Sequence, residues 1–271
     1  MEKMDILTLC DKIALDPEVK ARVLDFAAGF DFSGVERYLR DFYQYEKMAR
    51  ALEGLQIALG EDKDHIAVLA CMLRACAGAY EVYREKGICD GIYFATMKCF
   101  TRFMKETYKM TQRRYFDREW WTPRQAGCHL FRIGELEYEK KPDGGGLVIS
   151  MHIPSDAGFS DAAVEKSLEA ARAFFARYYP ETEGAPYVCH SWLLDSQLRA
   201  MLPESANIIK FQNRFDICGE GEQGGDFAQW VFQTRSTRYE DYPEDTTLRR
   251  NMKRHLLSGG VIRNAYGRLK R

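Results

Sequence analysis

The sequence predicts an α+β protein: a helical N-terminal region followed by a mixed α/β domain built on a central sheet. Three observations carry that expectation. Apolar residues recur about every three to four positions through the first half of the chain, the spacing of one helix face. After His129 the period drops to about two, the spacing of one strand face. From Gly146 to Tyr179, GLVISMHIPSDAGFSDAAVEKSLEAARAFFARYY reads as strand, polar loop and amphipathic helix, and a further strand follows at Tyr187–Leu194. A helix between two strands implies a right-handed crossover and parallel pairing. The expected domains are residues 1–128 and 129–271. Asp117–Arg124, with Trp120 and Trp121, is the junction, and it lacks the Gly/Ser richness of a flexible linker.

The elements follow in order. Asp16-Pro17 places an N-cap before a proline at the first helical position, and Val19, Val23, Leu24 and Phe26 supply the apolar face. Ser33-Gly34-Val35-Glu36 has capping-box form, ahead of a helix carrying Tyr38, Leu39, Phe42, Tyr45, Ala49 and Leu52. A third helix starts near Asp64 and ends at Gly87. Asp90 opens a fourth, with Tyr93, Met97, Phe100 and Met104. This aromatic and methionine content reads as core. Phe131–Glu139 is strand-like, and its apolar phase switches at Gly134, which suggests a β-bulge. Lys140–Gly145 is a hairpin turn returning into the strand Leu147–Ile153. Pro154 ends that ladder because it has no N–H. Ser155, Asp156 and Gly158 are turn residues. Ser160 or Asp161 caps a helix whose stripe is Val164, Leu168, Ala171, Phe175 and Tyr178. Beyond Leu194, Asp195 caps a short helix. Residues 207–211 and 215–218 read as short strands or extended loops, 219–225 as a turn or mobile loop, and 229–234 as the last strand. A helix begins at Thr247.

Composition narrows the function classes. The chain has 271 residues, 46% hydrophobic and 29% charged, which is globular. Its net charge of -1 gives no whole-molecule attraction to nucleic acid or membrane. From Arg249 to Arg271 there are eight Lys/Arg and no acid, a charge of +8 that leaves -9 elsewhere. Such a stretch is a solvated or inter-domain surface, or a contact for an acidic partner. It holds one aromatic residue and no recognisable nucleic-acid module, so nucleic acid is not an expected partner. No uninterrupted apolar window approaches about 18 residues, so no membrane span is expected. The start, MEKMDILTLCDK, has no signal-type apolar run. None of the eight cysteines forms a C-x-x-C pair. The expected location is a reducing cytoplasm. Three histidines with ligand spacing are absent, so no metal is expected.

The P-loop, H-E-x-x-H, G-x-S-x-G, kinase and dinucleotide signatures are all missing. What remains is His152 and His190 on adjacent predicted strands, with Cys189 and Ser191 beside the second. A neutral histidine takes a proton from an amine or water near neutral pH. Strand histidines also serve as hydrogen-bonded structural residues. His190 cannot activate Cys189, because adjacent strand residues point apart. The loop after Ile153 feeds a helix N-terminus, whose free N–H groups suit an anion. A plain strand-to-helix connection gives the same pattern.

Leu130-Phe131-Arg132-Ile133-Gly134-Glu135-Leu136-Glu137-Tyr138-Glu139, Ile149-Ser150-Met151-His152-Ile153-Pro154 and Cys189-His190-Ser191-Trp192-Leu193-Leu194 resemble the GNAT-like C-terminal domain of a bacterial acyltransferase-domain family. That family joins a helical N-terminal domain to the GNAT-like domain, and the resemblance covers nearly the whole chain. It implies an acyl-CoA N-acyltransferase fold, in which the central strand splays from its parallel neighbour and pantetheine inserts between them. The splayed pair would be Leu147–Ile153 and Tyr187–Leu194. Met151, Ile153, Ser155, Gly158 and Ser160 would line the acyl-CoA co-substrate, with the pyrophosphate on the loop Pro154–Ser160. His152 or His190 would accept the amine proton, and Ser191 would orient a water or the acceptor. Where GNAT enzymes usually carry Gln/Arg-x-x-Gly-x-Gly/Ala, this loop has one glycine and no basic residue, and Asp156 and Asp161 lie near the phosphates. The function implied is acyl transfer from coenzyme A to a small-molecule or peptide amine. The alternatives are a non-catalytic GNAT-like small-ligand-binding module and a protein-interaction module.

Overall fold

A computed structural model describes residues 4–234 and 236–270. Met1–Lys3 and Arg271, the ends of the N-terminal and basic stretches read above, lie outside the described residues. The chain forms two compact units, one of Met1–Ile133 with Glu139–Pro142, the other of Gly134–Tyr138 with Asp143–Arg271.

The first unit holds helices α1 (Ile6–Lys12), α2 (Pro17–Gly29), α3 (Glu36–Asp41), α4 (Met48–Leu59), α5 (Ile66–Glu85), α6 (Asp90–Met97), α7 (Cys99–Thr111) and α8 (Pro123–Ala126). The Asp16 carboxylate caps α2 by accepting from the N–H groups of Glu18 and Val19, as the Asp-Pro pair predicts. α5 is long and apolar enough to cross a membrane by length and composition, but most of that stretch is buried. Leu69, Cys71, Leu73 and Cys76 on it are fully enclosed, so it is the core helix of this unit.

Two predicted helices are each divided. The one read from Ser33 to Leu52 is α3 and α4. At the break the Phe42 carbonyl accepts from His129 Nε2 at 2.9 Å, and that diverts an acceptor a continuing helix would use. The one read from Asp90 is α6 and α7. Just before that break Thr96 Oγ1 donates to the Ile92 carbonyl at 2.8 Å, a contact that tends to bend helices.

Strands β1 (Leu130–Ile133) and β2 (Leu136–Asp143) replace the single bulged strand. The phase switch is a tight turn at Gly134–Glu135. Gly134 has φ +63°, and a Cβ there would lie 3.2 Å from Ser167 Cβ, so glycine serves both the turn and the close approach. Within the first unit, the Lys140 N–H donates to the His129 carbonyl at 2.8 Å.

The second unit adds β3 (Gly146–His152), α9 (Asp161–Tyr178), β4 (Tyr187–Ser191), α10 (Leu198–Met201), α11 (Asn207–Asn213), β5 (Phe215–Gln223), α12 (Thr247–Leu257) and β6 (Arg263–Leu269). Its strands lie in the order β2-β3-β4-β6-β5. β3 and β4 are parallel, with Ile149 opposite Tyr187 and Ser150 opposite Val188, the crossover geometry the sequence predicts. β6 pairs antiparallel with both β4 and β5.

Here the C-terminal expectations are corrected. Residues 207–211 are helical, with Ile209 and Phe211 buried. Residues 229–232, most of the stretch read as the last strand, fall in a π-helical turn, Ala228–Phe232. The turn expected at 219–225 begins inside β5, where the ladder shifts register between Cys218 and Glu222. The true last strand is β6, inside the stretch read as a basic surface. Arg249 and Lys253 of α12 are engaged by the chain itself. Arg249 pairs with Asp245 at 2.7 Å and donates to the Val231 carbonyl at 2.7 Å, while Lys253 pairs with Glu244 at 2.8 Å.

Candidate active site

Strand register decides which side chains share a face. α9 packs on the face holding Ile149, Met151, Tyr187 and Cys189. The Phe175 ring of α9 lies 6.4 Å from that of Tyr187, and Ser167 Oγ meets the Tyr138 hydroxyl at 2.9 Å. Cys189 is fully enclosed, and burial pushes its thiol and the Tyr187 hydroxyl each up to about 12, so little thiolate forms there.

The opposite face holds the buried Val148, Ser150 and Val188 and, nearer the strand ends, His152 and His190. His152 ends β3, two residues past the Ser150–Val188 pair, and strand alternation puts it on the same face as His190. His190 pairs across with Tyr266 of β6, and Tyr266 with Cys218 of β5. The structure therefore puts His152 and His190 on one face and sets Tyr266 directly beside His190. His152 is half-buried and His190 exposed. The Tyr266 hydroxyl lies 3.5 Å from the Asp143 carboxylate. Burial, and after it the Asp143 charge, raises the Tyr266 pKa.

Ser191 does not join this face. It sits on the α9 face, and its hydroxyl accepts from the Leu193 N–H at 3.1 Å, capping the short turn after β4. The end of β4 is further fixed by Gln212, whose amide donates to the carbonyls of Leu193 at 2.8 Å and Asp195 at 2.9 Å. The buried Asp195 carboxylate accepts from the Arg263 N–H at 2.7 Å. These contacts hold β4 against β6, and with them His190 against Tyr266.

Of the residues predicted to line a co-substrate, Met151 is buried towards α9, Ile153 is half-buried, and Ser155, Gly158 and Ser160 are exposed in the loop. Ser160 is the helix cap, its hydroxyl accepting from the Ala163 N–H at 3.3 Å. The Gly158 N–H donates to the Glu135 carboxylate at 2.6 Å. That N–H is therefore already taken by a carboxylate of the chain itself, which sets negative charge on the loop.

Asp161, at the start of α9, has a basic partner from elsewhere in the chain. Arg214, just after α11, contacts Asp161 at 2.6 Å and also pairs with Glu165. Burial works against its charge, and the two carboxylates outweigh that. Sequence gave no signal for this, since Asp161 and Arg214 are 53 residues apart. Among the described residues, no group of three or more His, Cys, Asp or Glu is arranged to hold a metal ion.

A mixed sheet with a central parallel pair, a loop running into a crossover helix and histidines at the strand ends defines the class of GNAT-like acyltransferase folds. The chain belongs to that family: residues 130–269 match the GNAT-like C-terminal domain, and residues 4–128 match the N-acyltransferase N-terminal domain. Solved structures agree. An acyltransferase in complex with decanoyl-CoA and teicoplanin superposes with a TM-score of 0.81 at 21% identity, covering 97% of this chain and 87% of that one. An acyltransferase mutant in complex with octanoyl-CoA gives 0.81 at 20%, covering 97% and 86%. At such identity the likeness is one of fold. No curated protein matches the chain in sequence.

Proposed function

We propose that the protein transfers an acyl group from acyl-CoA to an amine of a small-molecule or peptide acceptor. One observation carries this: strand alternation counted from the Ser150–Val188 pair puts His152 and His190 on the same face of the parallel pair β3–β4, at the end where β3 runs into the loop and N-terminus of α9. In this reading the thioester lies at the end of β3, and backbone N–H groups there polarise its carbonyl. The amine attacks, His152 or His190 takes the amine proton, and coenzyme A leaves as thiolate. Gly158, Ser160 and the first turn of α9 hold the pyrophosphate, with Met151 and Ile153 beside the pantetheine. The structural relatives that carry decanoyl-CoA and octanoyl-CoA make medium-chain donors the first to test, and the relative with teicoplanin supports an acceptor larger than an amino acid. All eight cysteines are free thiols, which supports a cytoplasmic setting.

The test is calorimetric titration with decanoyl-CoA, followed by mass spectrometry of an amine panel incubated with protein and decanoyl-CoA. Saturable heat and amine-dependent acylation are expected. No heat at millimolar decanoyl-CoA refutes the reading. Binding without acylation of any amine supports the second reading, a non-catalytic module, which the Glu135 carboxylate on the Gly158 N–H favours because it places negative charge on the phosphate loop.

A further inference from the structure

We propose that Glu137 is the positioning residue that holds His152 as the base, and that His152, not His190, takes the amine proton. This rests on the acyl-transfer reading above. β2 ends at Asp143 and β3 begins at Gly146, so two residues, Gly144 and Gly145, join them. A two-residue hairpin loop fixes the register of its strands. Asp143 faces Gly146, and each step back along β2 meets a step forward along β3. That ladder ends with Glu137 facing His152.

An independent observation fixes the phase. If Glu137 faces His152, Tyr138 faces Met151 on the α9 side. Tyr138 is there, with its hydroxyl 2.9 Å from Ser167 Oγ and its ring 6.2 Å from that of Tyr187. A slip of a single residue would turn it to the other face. Glu137 and His152 therefore share the face away from α9. Directly opposite residues in an antiparallel pair have Cβ atoms about 4.5–5.5 Å apart, within reach of a carboxylate and an imidazole.

Burial gives the pairing its chemical weight. Glu137 is only 2% exposed, and a carboxylate is kept so far from water only with hydrogen-bond or charge partners. His190 is exposed, and its antiparallel neighbour is a tyrosine, Tyr266. A carboxylate that accepts from one ring N–H selects the tautomer whose other nitrogen has its lone pair free, and it stabilises the imidazolium formed on protonation. In the reaction the amine nitrogen bonds to the thioester carbonyl carbon and the C–S bond breaks. The amine proton moves to His152 and then to the departing thiolate.

The experiment combines a signal that needs no turnover with one that does. In ¹⁵N-histidine-labelled protein, the His152 ring N–H is expected as a slowly exchanging, downfield proton resonance. It should vanish in Glu137→Leu and His152→Asn and persist in His190→Asn. With decanoyl-CoA and whichever panel amine is acylated, Glu137→Gln should lower kcat about tenfold or more while the KM for decanoyl-CoA stays within about twofold. Glu137→Asp should recover part of the loss. A ring resonance indifferent to Glu137→Leu, or an unchanged kcat in Glu137→Gln, overturns the proposal. If no amine is acylated, the acyl-transfer reading fails and the base role with it, while the resonance still decides whether Glu137 holds His152.

Discussion

Replacing Gly267 by alanine tests whether the C-terminal stretch is a structural strand or a detachable basic surface. Gly267 lies in β6, opposite Cys189 of β4 and Ile217 of β5. In open surroundings Gly→Ala stabilises by about 0.4–1 kcal/mol, because the unfolded chain loses freedom. Here a Cβ would stand 2.7 Å from Leu194 Cδ1 and 3.1 Å from Phe215 Cβ. The leucine methyl can turn aside, but Phe215 Cβ is tied to its backbone, and both residues are buried. Overpacking of this kind costs about 1–3 kcal/mol. The net is a loss of roughly 0.5–2.5 kcal/mol, a fall in Tm of a few degrees. Gly78→Ala is the control, because Gly78 is exposed on α5 with nothing within 4 Å of the new Cβ, and a gain of about 0.5–1 kcal/mol is expected. Urea and thermal melts should be followed by two probes, since two units can unfold separately. Gly267→Ala as stable as the wild type would refute the packing of β6 against Leu194 and Phe215. A detachable basic tail would predict just that indifference.

Three further outcomes are expected. His152→Asn should lower kcat for decanoyl transfer by about 10²–10⁴ with decanoyl-CoA binding intact by calorimetry, and His190→Asn by much less. Ser191→Ala should leave kcat within about threefold while lowering stability by about 1 kcal/mol in urea melts, because it removes the acceptor for the Leu193 N–H. Burial holds the His129 imidazole below its ordinary 6.5, against the opposing effect of its bond to Phe42, so between 6.5 and the lowered value the unfolded chain binds more protons than the folded one. Stability of the first unit should therefore be full above that window and fall as pH drops through it, and His129→Gln should flatten the fall in urea midpoints compared at about pH 7.5 and about pH 5.5.

What the sequence showed was local. The Asp16-Pro17 start, the Ser160 cap and the crossover between β3 and β4 each depend on residues within a few positions, and each is where it was read. The break at Phe42 depends on His129, 87 residues away, and no local pattern announces it. β6 escaped for a different reason. On the α9 side its buried positions are Ala265 and Gly267, small residues that admit close packing but carry little hydrophobic signal. The two histidines were legible as strand residues, but their common face needed the Ile149–Tyr187 register. Tyr266 and Arg214 had no signal, because each owes its place to a strand or helix end brought in by the fold, whereas the place of Glu137 follows from the local hairpin once its loop is known to be Gly144 and Gly145.

The register that aligns the histidines is protected by residues that do no chemistry. On β3 and β4, Ile149, Met151 and Cys189 are all buried towards α9. A slip of one residue in either strand would turn its whole buried set to the opposite face and carry its histidine towards the helix. The opposite face is buried as well, at Val148, Ser150 and Val188, so a slip of β3 would not expose Ile149 and Met151 but would set Val148, the polar Ser150 and the His152 imidazole against α9 in their place. Apolar packing under α9 thus fixes where His152 and His190 stand. This also accounts for Ser191: one position along from His190, it falls on the packed side and serves as a cap.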